Sequence, residues 1–243
     1  MARRIRDLYA RATAGPTYQP DEADLADVRV FGLDVPIRAS IAVIATTAVI
    51  VVDQLQLLVP AGTSAIAGLE PVKVARFVLF LLVPLGVVMA GFRDGPGRYG
   101  LRLGDWRWGL ALLGAGLVVM TPIILGLAQR PEFRLYYGSE SASVGERLLN
   151  NLAELIPSEF LLRGFLMFAL WRRIGSLALI VVQVPFVLTH IGKPDVELWS
   201  TFFGGAVFAW LDWRTGSILW SALGHVYVLT LMVVAAGGAT GQG

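Results

Sequence analysis

No cysteine occurs among the 243 residues, which excludes disulfides, thiolate metal sites and a cysteine nucleophile. Charge is scarce as well. Only 16% of residues are charged and 56% are hydrophobic, where a soluble domain carries about 25% charged residues. Mean hydropathy is positive, so composition alone points to a membrane protein. The net charge is +2, and no run of Lys or Arg is dense enough to engage nucleic acid. No cleavable signal sequence is expected, because Arg3, Arg4 and Arg6 lead into polar residues rather than an apolar core. No internal repeat is visible, which argues against a transporter. Histidine is almost absent, with two in the chain, and no His-Glu-x-x-His helix exists.

What is present is a succession of apolar runs. Residues 1–36 read as a polar cytoplasmic tail, with Ile5, Leu8, Tyr9 and Ala12 on one helical face and an acidic patch at Asp21, Glu22, Asp24 and Asp27. Spanning helices are predicted over about 38–59, 75–92, 109–128, 146–170, 175–190, 198–211 and 217–236. Pro84 should kink the second, and Thr121-Pro122 should interrupt the third. Asp53 and Gln54 are expected to reach the interface at the far end of the first. The sixth is short for a crossing, and Gly204-Gly205 would let a neighbouring backbone approach it closely. Residues 129–145 read as a polar loop, and Asp212 falls in a tight turn before the last helix.

The expected fold class is therefore all-α, a polytopic membrane helix bundle of about seven transmembrane helices. It divides into the tail 1–36, N-terminal membrane helices and loops over 37–145, a core at 146–236 and a flexible tail at 237–243. Lys and Arg gather in the segments that lie inside if the N-terminus is inside, which puts the C-terminus outside. The expected location is a bacterial or archaeal cell membrane.

Charge inside the apolar runs is the informative feature. Glu159 and Arg163 stand one helical turn apart within an apolar segment, where a charged group costs roughly 2.5–3.5 kcal/mol at the helix centre. An i, i+4 ion pair offsets part of that cost. Both histidines, His190 and His225, lie within or at the end of apolar helices, which points to one shared polar site among the four C-terminal helices. A carboxylate and two imidazoles suit water activation, with an imidazole N–H available to an oxyanion. The alternative is zinc held by Glu159, His190 and His225 with an open fourth position. At 1.5 Å per residue, His225 lies about 12 Å and Glu159 about 18 Å from the inner ends of their helices. That places both near mid-membrane with His190 further out.

At these residues the chain resembles the CPBP intramembrane proteases, which include the type II CAAX prenyl endopeptidases and the bacteriocin-processing and immunity proteins. Their first motif, Glu-Glu-x-x-x-Arg, is matched by Ser158-Glu159-Phe160-Leu161-Leu162-Arg163, with Gly164 following. The second, Phe-x-x-x-His, is intact as Phe186-Val187-Leu188-Thr189-His190. The third, His-x-x-x-Asn after a Thr-Gly-Ser turn, appears as Thr215-Gly216-Ser217 leading to His225, with Leu229 in place of Asn. The resemblance covers residues 150–230.

It implies an intramembrane endopeptidase that hydrolyses a peptide bond in a membrane-associated protein or peptide, with membrane lipid as its other partner and no cofactor. In the family, the first Glu and the second-motif His activate water, while the third-motif His and Asn hold the oxyanion. Glu159 and Arg163 match the supporting Glu and Arg. The missing first carboxylate at Ser158 can be answered in several ways. Glu159 takes over as base; Glu154, one turn before Ser158, supplies the carboxylate; or Ser158 pairs with a histidine as nucleophile. Otherwise the chain is a catalytically impaired, immunity-type binding protein. These alternatives remain open from the residues alone.

Overall fold

The computed structural model describes residues 2–60, 62–65, 67–139 and 142–238, excluding the side chains of residues 2–5 and 8. The apolar face expected at Ile5 and Leu8, and the tail beyond residue 238, lie outside these described residues. The chain runs α1 (Ala2–Thr13), α2 (Glu22–Leu25), a hairpin of β1 (Asp27–Val30) and β2 (Leu33–Pro36), then α3 (Ile37–Gln54). It continues through α4 (Pro71–Gly91), α5 (Trp106–Leu127) and α6 (Pro131–Tyr137). The bundle is completed by α7 (residues 144–174), α8 (Leu177–Leu188), α9 (Asp195–Thr215) and α10 (Leu219–Ala235). The architecture is an all-α bundle with one small hairpin. Among the described residues, α3, α4 and α5 are long and apolar enough to cross a membrane, while α8 and α10 are apolar and shorter. The longer helices α7 and α9 carry Glu154, Glu159, Arg163 and Asp212, so their apolar runs are broken from within.

The N-terminal residues are strapped across one end of the bundle. The hairpin turns at Phe31-Gly32, both with positive φ (49° and 84°), the geometry a two-residue primed turn needs. The acidic patch explains the docking. Arg38 donates to Asp24 at 2.8 Å and to the Phe92 carbonyl at 3.0 Å. Arg98 pairs with Asp21 and Asp24, and Arg173 with Asp27 at 2.7 Å. Arg214 donates to the carbonyls of Arg11 and Ala12. The segments that the Lys/Arg count assigns to one side therefore meet at one end.

Several local expectations change. Pro122 does not interrupt α5, which continues through it. A proline there removes one backbone bond, and the neighbouring Thr121 hydroxyl bonds the Leu117 carbonyl and Tyr227 of α10, each at 2.7 Å. Pro84 sits between two π-helical stretches of α4, Val78–Leu82 and Val87–Gly91. The sixth long helix, α9, has 21 residues rather than a short run, because Asp195 and Asp212-Trp213-Arg214-Thr215 are helical rather than turn. Of the glycine pair, only Gly205 makes a close approach: a Cβ there would sit 2.6 Å from the Phe186 ring, whereas Gly204 faces open space. The loop at 129–145 contains α6, whose Phe133 and Tyr137 are buried.

One tight crossing locks α5 to α10. A Cβ on Gly109 would lie 2.3 Å from the Trp220 indole, and that indole is held by donating to the Leu103 carbonyl at 3.1 Å. Gly109→Ala is expected to destabilise by about 1–3 kcal/mol through overpacking. Thermal unfolding of the protein in detergent checks this, with Gly114→Ala, which meets nothing within 4 Å, as the control.

Candidate active site

Helix α7 begins with a reciprocal cap. The Ser143 hydroxyl accepts from the Glu146 N–H, and the Glu146 carboxylate accepts from the Ser143 N–H. After Glu159 the helix widens into a π-helical stretch, Phe160–Met167, and then resumes as α-helix. Such widening is frequent at functional sites. Glu159 is the last residue before it and is fully buried, as is Arg163. Arg163 Nη1 donates to Glu159 Oε2 at 2.6 Å, and its guanidinium lies 4.1 Å from the centre of the Phe186 ring. Gly164 follows because the backbone of another segment passes there. A Cβ would stand 2.8 Å from the Tyr99 carbonyl.

The other carboxylate oxygen of Glu159 accepts from His225 Nδ1 on α10 at 2.7 Å. His190, in the turn after α8, donates from Nδ1 to the Phe186 carbonyl at 2.8 Å. A carbonyl and a carboxylate only accept, so both Nδ1 atoms carry the proton and each Nε2 is left with a lone pair in the neutral ring. The two imidazoles lie nearly parallel, 15° apart, with ring centres separated by 6.4 Å. Phe186 packs edge-on against both, which gives the Phe-x-x-x-His motif its physical content. Helix α8 ends at Leu188, and His190 in the following turn stands 6.4 Å from His225, ring centre to ring centre.

Both histidines line a cavity of about 360 Å³ between α3, α4, α7, α8 and α10. Ser158 and Glu154 line it too, while Glu159 does not reach it. Glu159, His190 and His225 are therefore brought together, but not as three groups around one point. Among the described residues no three His, Cys, Asp or Glu side chains are grouped to hold a metal ion. Glu154 is bound by Lys73 and Arg76, one to each oxygen. Ser158 Oγ donates to the Glu154 carbonyl at 2.7 Å rather than to a histidine. Leu229 lines the cavity where the third motif has its Asn.

Residues outside the motifs complete the site. Asp53 is buried and bound to Arg76 Nε at 2.9 Å; it faces the cavity and not the interface, because α4 supplies a cation one turn into its helix. Tyr137 of α6 donates to Glu197 at 2.7 Å and lines the same cavity. Asp212 and Ser221 sit beneath Glu159, with Ser221 Oγ 2.8 Å from Asp212 Oδ2 and 3.3 Å from Glu159 Oε2. Ser221 stands four residues before His225, on the same helical face, and that spacing was the available signal. Beside the polar cavity lies an apolar groove of about 510 Å³ between α5, α9 and α10, which shares Tyr137, Phe186 and Leu229 with it.

Residues 141–231 match the family model described as type II CAAX prenyl endopeptidase Rce1-like. The match spans α7 to α10, the helices that hold the site, and bears out the CPBP resemblance drawn from the three motifs. No curated protein and no solved structure matches the chain. With that family segment and three apolar helices of spanning length, the chain is an integral membrane protein.

Proposed function

We propose that this CPBP-family chain is an intramembrane endopeptidase whose base is His225, held by Glu159, rather than a carboxylate at the position of Ser158. The observation that carries the proposal is the pair of histidines lining one cavity with both Nδ1 atoms committed. Their Nε2 atoms are the basic groups available to a water bound there. His225 Nε2 takes one proton as the water oxygen attacks the peptide carbonyl carbon, and the ionised Glu159 stabilises the imidazolium that forms. That proton then passes to the leaving nitrogen as the C–N bond breaks. His190 accepts the second O–H of the water and fixes its direction. Lys193 and Arg147, which line the cavity, supply positive charge toward the developing oxyanion, in place of the Asn replaced by Leu229. The adjoining apolar groove supports a substrate that presents an apolar segment beside the scissile bond. The end strapped by the N-terminal residues is the cytoplasmic end in this reading.

A second reading, a non-catalytic binding protein, is favoured by one observation. The Ser158 hydroxyl is spent on the Glu154 carbonyl and Leu229 offers no donor. The two readings separate in one experiment on the full chain in lipid vesicles with membrane-anchored peptides. Cleavage by the unaltered chain is the expected result. Cleavage that appears only after the double change Ser158→Glu and Leu229→Asn would assign the natural chain to the second reading.

A further inference from the structure

Asp212 is a buried carboxylate that the proposed chemistry does not use. It lies on α9, one turn from the end of the helix, and is fully buried with Ser221. Its Oδ2 is 2.8 Å from Ser221 Oγ, and its Oδ1 has no hydrogen-bond partner among the described residues. Ser221 Oγ also lies 3.0 Å from the Ile218 carbonyl and 3.3 Å from Glu159 Oε2. Three oxygens that accept thus converge on one hydroxyl, which has a single proton to give.

The hydrogen count decides how this is resolved. Glu159 already receives Arg163 Nη1 on one oxygen and His225 Nδ1 on the other. It is the carboxylate that the neighbouring donors favour as an anion. Were Asp212 an anion as well, two negative charges would face each other across one hydroxyl, and the donors to Asp212 in this buried site would come from Ser221 alone, its hydroxyl and its backbone N–H. Carboxylates so placed share a proton rather than both ionise. A proton on Asp212 Oδ2 removes the conflict: Asp212 donates to Ser221 Oγ, and Ser221 donates onward to Glu159 Oε2. Every member of the chain Asp212–Ser221–Glu159–His225 then has a donor facing an acceptor.

We propose that Asp212 holds a proton and is a positioning residue, a neutral donor that acts through Ser221 to keep Glu159 ionised and aimed at His225. The charged and polar groups facing it are Glu159 and Arg163 from α7, Ser221 from α10 and Tyr18 from the N-terminal segment. The proton-holding part stands on the hydrogen-bond pattern alone, whereas the positioning part rests on the protease reading above.

The test is infrared spectroscopy of the full chain in lipid with carbon-13-labelled aspartate. A carboxylic-acid carbonyl band that shifts with the aspartate label at neutral pH is expected, and Asp212→Asn removes it. Glu159→Gln, which deletes the second charge, lets Asp212 ionise and moves the loss of the band to lower pH. A spectrum of the unaltered chain with no labelled carboxylic-acid band overturns the proposal, as does a band that survives Asp212→Asn. These readings need no substrate, so they stand if the chain proves not to cleave. For the positioning role, Asp212→Asn retains an N–H donor toward Ser221 and Asp212→Leu does not. The Asn variant is expected to exceed the Leu variant in kcat by about tenfold, the effect of one hydrogen bond on a barrier. Equal kcat in the two overturns that role, while the infrared result continues to decide the proton.

Discussion

If His225 is the base proposed above, His225→Ala is expected to lower kcat by about 10²–10⁴-fold, the range for removal of a general base, with little change in thermal unfolding. The imidazole is partly exposed to the cavity rather than locked in the core, so its loss costs chemistry more than packing. Glu159→Gln should retain an acceptor for His225 Nδ1 but lose the negative charge that stabilises the imidazolium. A smaller fall than that of His225→Ala is therefore expected. Ser158→Ala separates this route from a serine nucleophile. The hydroxyl donates to the Glu154 carbonyl within its own helix, so cleavage should persist without it. Initial rates on a membrane-anchored peptide, measured for all three variants in vesicles, check the ordering. Cleavage by His225→Ala at the unaltered rate would remove His225 from the chemistry.

How much of this was legible in the sequence depended on whether a residue's role came from its own helix or from a neighbour's. Glu159, Arg163 and the Phe186–His190 pair interact at i, i+4, a spacing that can be read along the chain. His225 stood out because histidine is rare in an apolar helix. Asp53 was read toward the interface because its position on α3 was the only guide, and the partner that turns it inward, Arg76, lies on a different helix, α4. Asp212 was assigned to a turn because its context, Trp-Arg-Thr-Gly, resembles a helix end; the helix stops at Gly216, which adopts the left-handed conformation (φ 69°). The hairpin at residues 27–36 escaped because two four-residue strands carry too little alternation to register beside the helices.

Arg163→Ala is expected to destabilise the bundle by about 3–5 kcal/mol, the cost of leaving one member of a buried ion pair without its partner. The side chain is 1% exposed and its carboxylate partner 0%, so water cannot replace the lost guanidinium. The same change removes a cation from the face of Phe186, the ring that packs against both histidines. Loss of stability should therefore be accompanied by a looser histidine pair. Two further variants separate charge from volume. Arg163→Lys keeps the charge but not the planar group over Phe186, and should recover only part of the loss. The double change Glu159→Gln with Arg163→Met removes both charges and fills the space. It should be less destabilising than Arg163→Ala, because no buried charge is left unpaired. Thermal or denaturant unfolding in detergent checks the order. An Arg163→Ala protein as stable as the unaltered chain would mean that Glu159 is satisfied by His225 and Ser221 alone.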